Sequence, residues 1–261
     1  MPEAVELLGL SGRSIVAPAG HGKTELITRV AALGRRTLVL THTHAGVHAI
    51  KARLKRLGIS SSVVVVDTIA GWASRYAYAF PQRSNVPAGG RPSGNEWNLV
   101  YRGAATILQS VVVRRVIEAS YDRILIDEYQ DCDGLQHALA TALSGVLPTI
   151  VFGDAMQGIF EFVDTRIRWG DSVLPVFSTA HELTEPHRWH SVNPDLGRWI
   201  AEVRRKLMVG ELIDLRTGPI TYLPCSDAFD MGLFFDGIDE RQGSTAAIHC
   251  VRKVCNGLAQ A

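Results

Sequence analysis

Short apolar runs rich in β-branched residues alternate along the chain with longer stretches of helical periodicity. Ser14–Ala17 reads as a strand end, followed by a glycine-rich turn and a helix over Thr24–Leu33 that Gly34 closes. Arg36–Thr41 is a strand, and His44–Leu57 a helix closed by Gly58. Ser62–Asp67, Arg123–Asp127 and Thr149–Gly153 are further buried strands, with a helical segment at Leu135–Leu143 between the last two. Strands apolar on both faces and separated by helices predict the α/β class, with a parallel central sheet flanked by helices. Two stretches break this rhythm. Pro81–Asn95 holds Pro81, Pro87, Gly89, Gly90, Pro92 and Gly94 and reads as a loop, after which Trp97–Ala119 reads as one long helix. Near Gly210–Gly218 the composition turns acidic, and Thr245–Val254 looks like the start of another strand-to-helix unit. The expected organisation is one domain over residues 1–209, with a short insertion at about 81–119, and an incomplete second α/β segment over 210–261.

Two motifs in this pattern carry chemistry. Ala17-Pro-Ala-Gly-His-Gly-Lys-Thr24 follows an apolar strand and opens a helix. Gly20 and Gly22 let the backbone curl so that its N–H groups point inward, and the helix adds its positive N-terminus. Lys23 can reach the β and γ phosphates of a nucleotide, and the Thr24 hydroxyl is placed to hold Mg²⁺. Ala19, Gly20, His21, Gly22, Lys23, Thr24 and Glu25 are the candidate nucleotide-phosphate contacts. A glycine-rich turn with an incidental lysine is the bland alternative, and the strand–loop–helix context argues against it. The second motif, Tyr121-Asp-Arg-Ile-Leu-Ile-Asp127-Glu128, puts two carboxylates at the C-terminal end of a strand, where open α/β sheets bind their ligands. Asp127 is a candidate Mg²⁺ ligand, and Glu128 can polarise the water that attacks the γ-phosphate.

Composition changes this picture little. The 261 residues are 46% hydrophobic and 20% charged, which excludes a disordered chain or a disulfide scaffold. Net charge is +1, so charge alone neither demands nor excludes nucleic acid. The first 60 residues carry nine Lys/Arg against three Asp/Glu, whereas residues 210–240 carry seven Asp/Glu against one Arg. A polyanion near the basic front and solvated faces that merely differ explain this equally well. Cys132, Cys225, Cys250 and Cys255 form no CxxC pair and read as reduced thiols of a cytoplasmic protein. The groups His42, His44, His48 and His181, His187, His190 lack partners at ligand spacing and read as structural. The N-terminus has no basic region of a signal peptide, and no apolar run approaches a membrane span.

Taken in order, the motifs resemble the superfamily 1 helicases of the UvrD/Rep-like branch. Ala17–Thr24 is similar to that branch's Walker A, which commonly begins with Ala. Leu40-Thr-His-Thr-His-Ala-Gly-Val-His-Ala-Ile-Lys-Ala-Arg53-Leu54 resembles motif Ia, and Val66-Asp-Thr-Ile-Ala-Gly-Trp72-Ala motif Ib. Asp127-Glu-Tyr-Gln-Asp131 resembles motif II, Phe152-Gly-Asp154-Ala-Met-Gln157-Gly-Ile-Phe160-Glu-Phe162 motif III, and Leu183-Thr-Glu-Pro-His-Arg188 motif IV. Order and spacing agree over roughly Ile15–Arg205. The resemblance implies a RecA-like P-loop NTPase in which Lys23, Glu128, Gln157 and Arg188 act on ATP, with Gln157 sensing the γ-phosphate or its attacking water. Arg188 clamps the γ-phosphate, and Asp154 ties motif III to its neighbours. Thr41, Thr43, His44 and Thr68 are implied to lie along single-stranded DNA or RNA, with Trp72 and Phe160 as candidates either for stacking on bases or for core packing. The basic run Lys51-Ala-Arg53-Leu-Lys55-Arg56 reads either as a phosphate contact or as a solvated helix face.

The pattern also departs from the family. No Gln precedes Ala17, so the family's adenine-reading motif has no counterpart. The segment between Trp72 and Asp127 is too short for a large accessory insertion, and motifs V and VI do not follow. An ATP hydrolase of this kind, lacking an arginine finger from a second motor domain, is expected to turn over weakly unless a partner protein supplies that half. The alternative is a nucleotide-gated module that grips single-stranded DNA or a protein without unwinding. A small-molecule kinase or a generic P-loop GTPase explains neither Asp127–Asp131 nor Gly153–Gln157.

Overall fold

The apolar runs become strands because each can be buried on both faces at once. β1 (Arg13–Val16), β2 (Thr37–Thr41), β3 (Val64–Thr68), β4 (Arg123–Ile126) and β5 (Thr149–Gly153) are the five strands read from the sequence. A sixth, β6 (Ser178–Glu182), joins them. This computed structural model describes residues 2–87, 92–158 and 167–221. The strands lie in the order β3-β2-β4-β5-β1-β6, and every pairing is parallel.

The helices are α1 (Ala4–Leu7), α2 (Lys23–Leu33), α3 (His44–Arg56), α4 (Ile69–Ala79), α5 (Pro81–Ser84), α6 (Glu96–Ile107), α7 (Val111–Ser120), α8 (Gly134–Ser144), α9 (His187–His190) and α10 (Pro194–Met208). Alternate strand residues divide between two cores. Ile15, Val39, Leu125, Ile150 and Phe152 meet α1, α2 and α3 on one face. Leu38, Leu40, Ile124, Ile126 and Val151 meet α4, α6, α7 and α8 on the other. To pass from β1 to β2 the chain must cross over β5 and β4. That crossover leaves a crevice at the carboxyl edge, where the turns after β1, β2, β4 and β5 converge.

Three expectations change. The long helix over Trp97–Ala119 is two helices, α6 and α7, broken at Leu108–Ser110. Gln109 and Ser110 donate to Thr106 and Ile107, a tighter turn than an α-helix, and Ser110 is extended at φ −78° and ψ 123°. The break lets Val113 and Ile117 face the core on a new axis. The loop over Pro81–Asn95 begins with a helical turn, α5, whose first residue is Pro81 and which ends at the left-handed Asn85. β6, which no apolar run announces, is an edge strand that among the described residues pairs only with β1.

The chain divides into two compact units at Pro194/Asp195. In the second, α10 closes at the left-handed Gly210, and residues 211–221 contain neither helix nor strand. The expected strand near Thr245–Val254 lies outside the described residues.

Candidate nucleotide-binding site

β1 ends at Val16 and α2 begins at Lys23, so residues 17–22 must turn the chain sharply. Gly20 (φ 78°) and Gly22 (φ 86°) adopt the left-handed backbone that the turn requires and that L side chains resist. Gly20 has a second constraint, since a Cβ there would lie 3.0 Å from the Arg188 Cβ. His21 is buried, with Nδ1 2.9 Å from the Ala19 carbonyl oxygen, so it shapes the loop from within. The first turn of α2 then presents its unpaired N–H groups beside Lys23.

The acidic pair meets Lys23 from the neighbouring strand end. The Asp127 N–H donates to the Leu40 carbonyl at 2.8 Å, which extends the β4–β2 ladder and fixes the residue. Glu128 sits at φ 53° and ψ 43°, a left-handed conformation that costs a non-glycine residue of order 1–3 kcal/mol and marks candidate functional positions. Lys23 Nζ lies 3.0 Å from Asp127 Oδ1 and also pairs with Glu128 Oε2. Burial alone would lower the Lys23 pKa, but the two carboxylates outweigh it and raise it, so the ammonium stays charged. Burial pushes Asp127 up against the pull of Lys23. Burial would also raise Glu128, but Lys23, the Gln130 amide and His42 together hold it below the usual carboxylate range.

The remaining expected groups gather on the same edge. An open cleft of about 890 Å³ is lined by the phosphate loop, Glu25, Glu128, Gln157 and Arg188. The Arg188 N–H donates to the Gly20 carbonyl at 2.9 Å, and Gln157 Nε2 donates to Asp154 Oδ2 at 2.9 Å. Thr24 also lines the cleft, as does Glu128 of the acidic pair. Among the described residues no three His, Cys, Asp or Glu side chains form a metal cage. One hydroxyl and one or two carboxylates suit Mg²⁺, which keeps several waters and shares its ligands with phosphate.

Sequence reasoning missed two features. Arg29, Arg53 and Arg56 line the far end of the cleft, and Glu25 is ion-paired to both Arg29 and Arg53. Arg53 and Arg56 thus belong partly to the nucleotide cleft, an option that a helical run of bases cannot distinguish from a solvated face. Gln130 is the second: its amide links Glu128 to Asp154.

The expected nucleic-acid residues fare unevenly. Thr43 and His44 are exposed in the turn after β2, where Thr43 caps α3 by accepting the Gly46 N–H at 3.0 Å. Thr41 and Thr68 are buried and offer no contact surface. Thr68 caps α4 through the Gly71 N–H, and Thr41 packs where a Cβ on Gly46 would fall 2.7 Å from its hydroxyl. For Trp72 the base-stacking expectation is corrected in favour of core packing, since it is 0% exposed and stacked on Tyr76 at 4.4 Å. Phe160 lies outside the described residues. Trp72→Ala is accordingly expected to lose about 3–5 kcal/mol of stability in urea unfolding. A stable variant that had lost only DNA affinity would contradict this placement.

The all-parallel sheet flanked by helices, with its crevice at the carboxyl edge, is consistent with a RecA-like fold. Residues 98–171 match the profile of the UvrD/REP helicase N-terminal domain family. The match includes the acidic pair and the Gln157 turn but not the phosphate loop. The chain is also similar to the large ATP-dependent helicase/nuclease proteins of Leuconostoc mesenteroides and of Oenococcus oeni, at 39% identity over 59 residues in each case. The aligned stretch spans 23% of this chain and 5% of each relative. Among solved structures, an arterivirus nonstructural protein 10 helicase in complex with DNA matches with a TM-score of 0.43 and 14% identity, covering 86% of this chain and 47% of that one. Among the described residues no helix is long and apolar enough to cross a membrane.

Proposed function

We propose that the chain is the ATP-binding and ATP-hydrolysing motor domain of a UvrD-like DNA helicase, coupling Mg-ATP hydrolysis to binding of and movement along single-stranded DNA. The observation that carries this reading is the contact of Lys23 with both Asp127 and Glu128 at a cleft shared with Gln157 and Arg188. In this reading the first compact unit, Met1–Pro194, is the motor domain, ending earlier than the expected boundary at residue 209.

The residues then divide the work. The phosphate loop, Ala19 to Glu25, wraps the triphosphate, and Lys23 leaves the carboxylates to neutralise the β and γ phosphates. Thr24 and Asp127 hold Mg²⁺, which supplies charge neutralisation on the phosphate oxygens. Glu128, kept ionised and facing the cleft, accepts a proton from the attacking water. Gln157 orients that water or the γ-phosphate, and Arg188 stabilises the charge that develops on transfer. Thr43 and His44, exposed in the turn after β2, meet the single strand. A second motor domain, in this chain or in a partner protein, closes the cleft from the other side.

The test is ATP hydrolysis by the purified chain with and without single-stranded DNA, beside His44→Ala. The expected result is turnover that DNA raises severalfold in the parent and less in the variant. Mg²⁺-dependent binding without turnover would make the chain a nucleotide-gated binding module. Absence of nucleotide binding would remove the phosphate-loop assignment itself.

A further inference from the structure

Gln130 lies in the short turn Tyr129–Asp131 that follows the left-handed Glu128, and it is 8% exposed. Both ends of its amide are engaged. Nε2 donates to Glu128 Oε2 at 2.9 Å, and Oε1 accepts the buried Asp154 N–H at 3.1 Å. Exchanging the two ends would set N–H against N–H and oxygen against carboxylate, so only one orientation is satisfied. The neighbouring strand end makes room for it, since a Cβ on Gly153 would fall 2.7 Å from Gln130 Oε1. Beyond Asp154 the network continues. Asp154 Oδ1 accepts the Met156 N–H at 3.1 Å, and Oδ2 holds the Gln157 amide.

We infer that Gln130 is a positioning residue that locks Glu128, just after β4, and the Gln157 turn, just after β5, into one rigid unit, so that both meet the same γ-phosphate together. The inference rests on the nucleotide-site reading above. The link is physical: Glu128, Gln130, Asp154 and Gln157 form an unbroken series of side-chain and backbone hydrogen bonds. A hydrogen-bonded series whose middle members, Gln130 and Asp154, are buried holds geometry in a way that its separate members cannot. A ligand with a γ-phosphate profits from the registration, whereas one ending at the β-phosphate does not.

The test compares affinity for Mg-ATPγS and Mg-ADP by calorimetry, in the full chain, for the parent, Gln130→Met, Gly153→Ala and the double variant. Methionine keeps the volume and removes both hydrogen bonds. Gly153→Ala presses on the amide without altering it, and presses also on the Trp169 ring, 2.8 Å from the added Cβ. Gln130→Met is expected to lower the preference for Mg-ATPγS over Mg-ADP about tenfold while leaving Mg-ADP affinity unchanged. Gly153→Ala should lower the same preference, and the double variant should lose little more of it, because both changes act on the preference through the Gln130 link, while the added Trp169 contact weighs on both affinities alike. Equal loss of both affinities, with a lower melting temperature, would mean a merely structural role and overturn the inference. So would an unchanged preference in Gln130→Met, or a parent that binds both nucleotides alike. A parent that binds neither would instead overturn the nucleotide-site reading, and the inference with it.

Discussion

Glu128→Gln should bind Mg-ATP about as tightly as the parent chain and hydrolyse it about 10²–10⁴ times more slowly. The carboxylate is the only group of the acidic pair with access to the cleft, its side chain being 37% exposed against 7% for Asp127. Lys23, Gln130 and His42 all favour its ionised form, so it is a base ready to accept a proton at neutral pH. Glutamine keeps the length and the oxygen that can accept from Gln130 but cannot take a proton. The left-handed backbone at Glu128 is no worse for glutamine, so the fold should survive. Binding depends on the phosphate loop and Lys23, which the change leaves in place. Single-turnover hydrolysis beside equilibrium binding measures both quantities. Turnover within a few-fold of the parent would show that another group activates the water.

Much of this site is local in the sequence, and that is why it was legible. A strand, a glycine-bearing turn and a helix N-terminus follow one another within residues 13–33, so the loop's geometry needs no distant contact. The same holds for Asp127 and Glu128 at the end of an apolar strand. For Trp72 the motif allowed both base stacking and core packing, because a motif marks a position and not an exposure. The periodicity held the better signal: Ile69, Trp72, Ala73 and Ala77 have helical spacing and form the buried stripe of α4. β6 was invisible because an edge strand of Ser178-Thr-Ala-His-Glu182 is defined by its pairing with β1, not by its own composition. Gln130 was not legible as a link because its second partner, Asp154, arrives from a different strand. The pairing of Glu25 with Arg53 likewise exists only once α2 and α3 pack side by side on the same sheet face.

Lys23→Met should weaken Mg-ATP binding about 10- to 150-fold and leave a protein whose stability deficit depends on pH. The first effect is the loss of charge-assisted hydrogen bonds to the phosphates, about 1.5–3 kcal/mol. The second follows from what Lys23 neutralises in the nucleotide-free chain, two adjacent carboxylates of which one is buried. Removing the ammonium leaves them facing each other, at a cost of about 3 kcal/mol near neutral pH, the low end for a buried pair because Glu128 is partly in water. In the parent, Glu128 is held below its ordinary value. It adds stability above the usual carboxylate range of about 4, and that contribution is lost as pH falls through its lowered value. Asp127 is raised, so its contribution is present in acid and fades as pH rises through its folded value. Without Lys23 both groups move upward and both behave like Asp127, stabilising in acid and destabilising as pH rises. The gap between variant and parent should therefore be widest at pH 7 and should narrow toward pH 4. Urea unfolding at the two pH values reads this directly. An equal deficit at both would mean that Lys23 stabilises the fold through its packing and not through its charge.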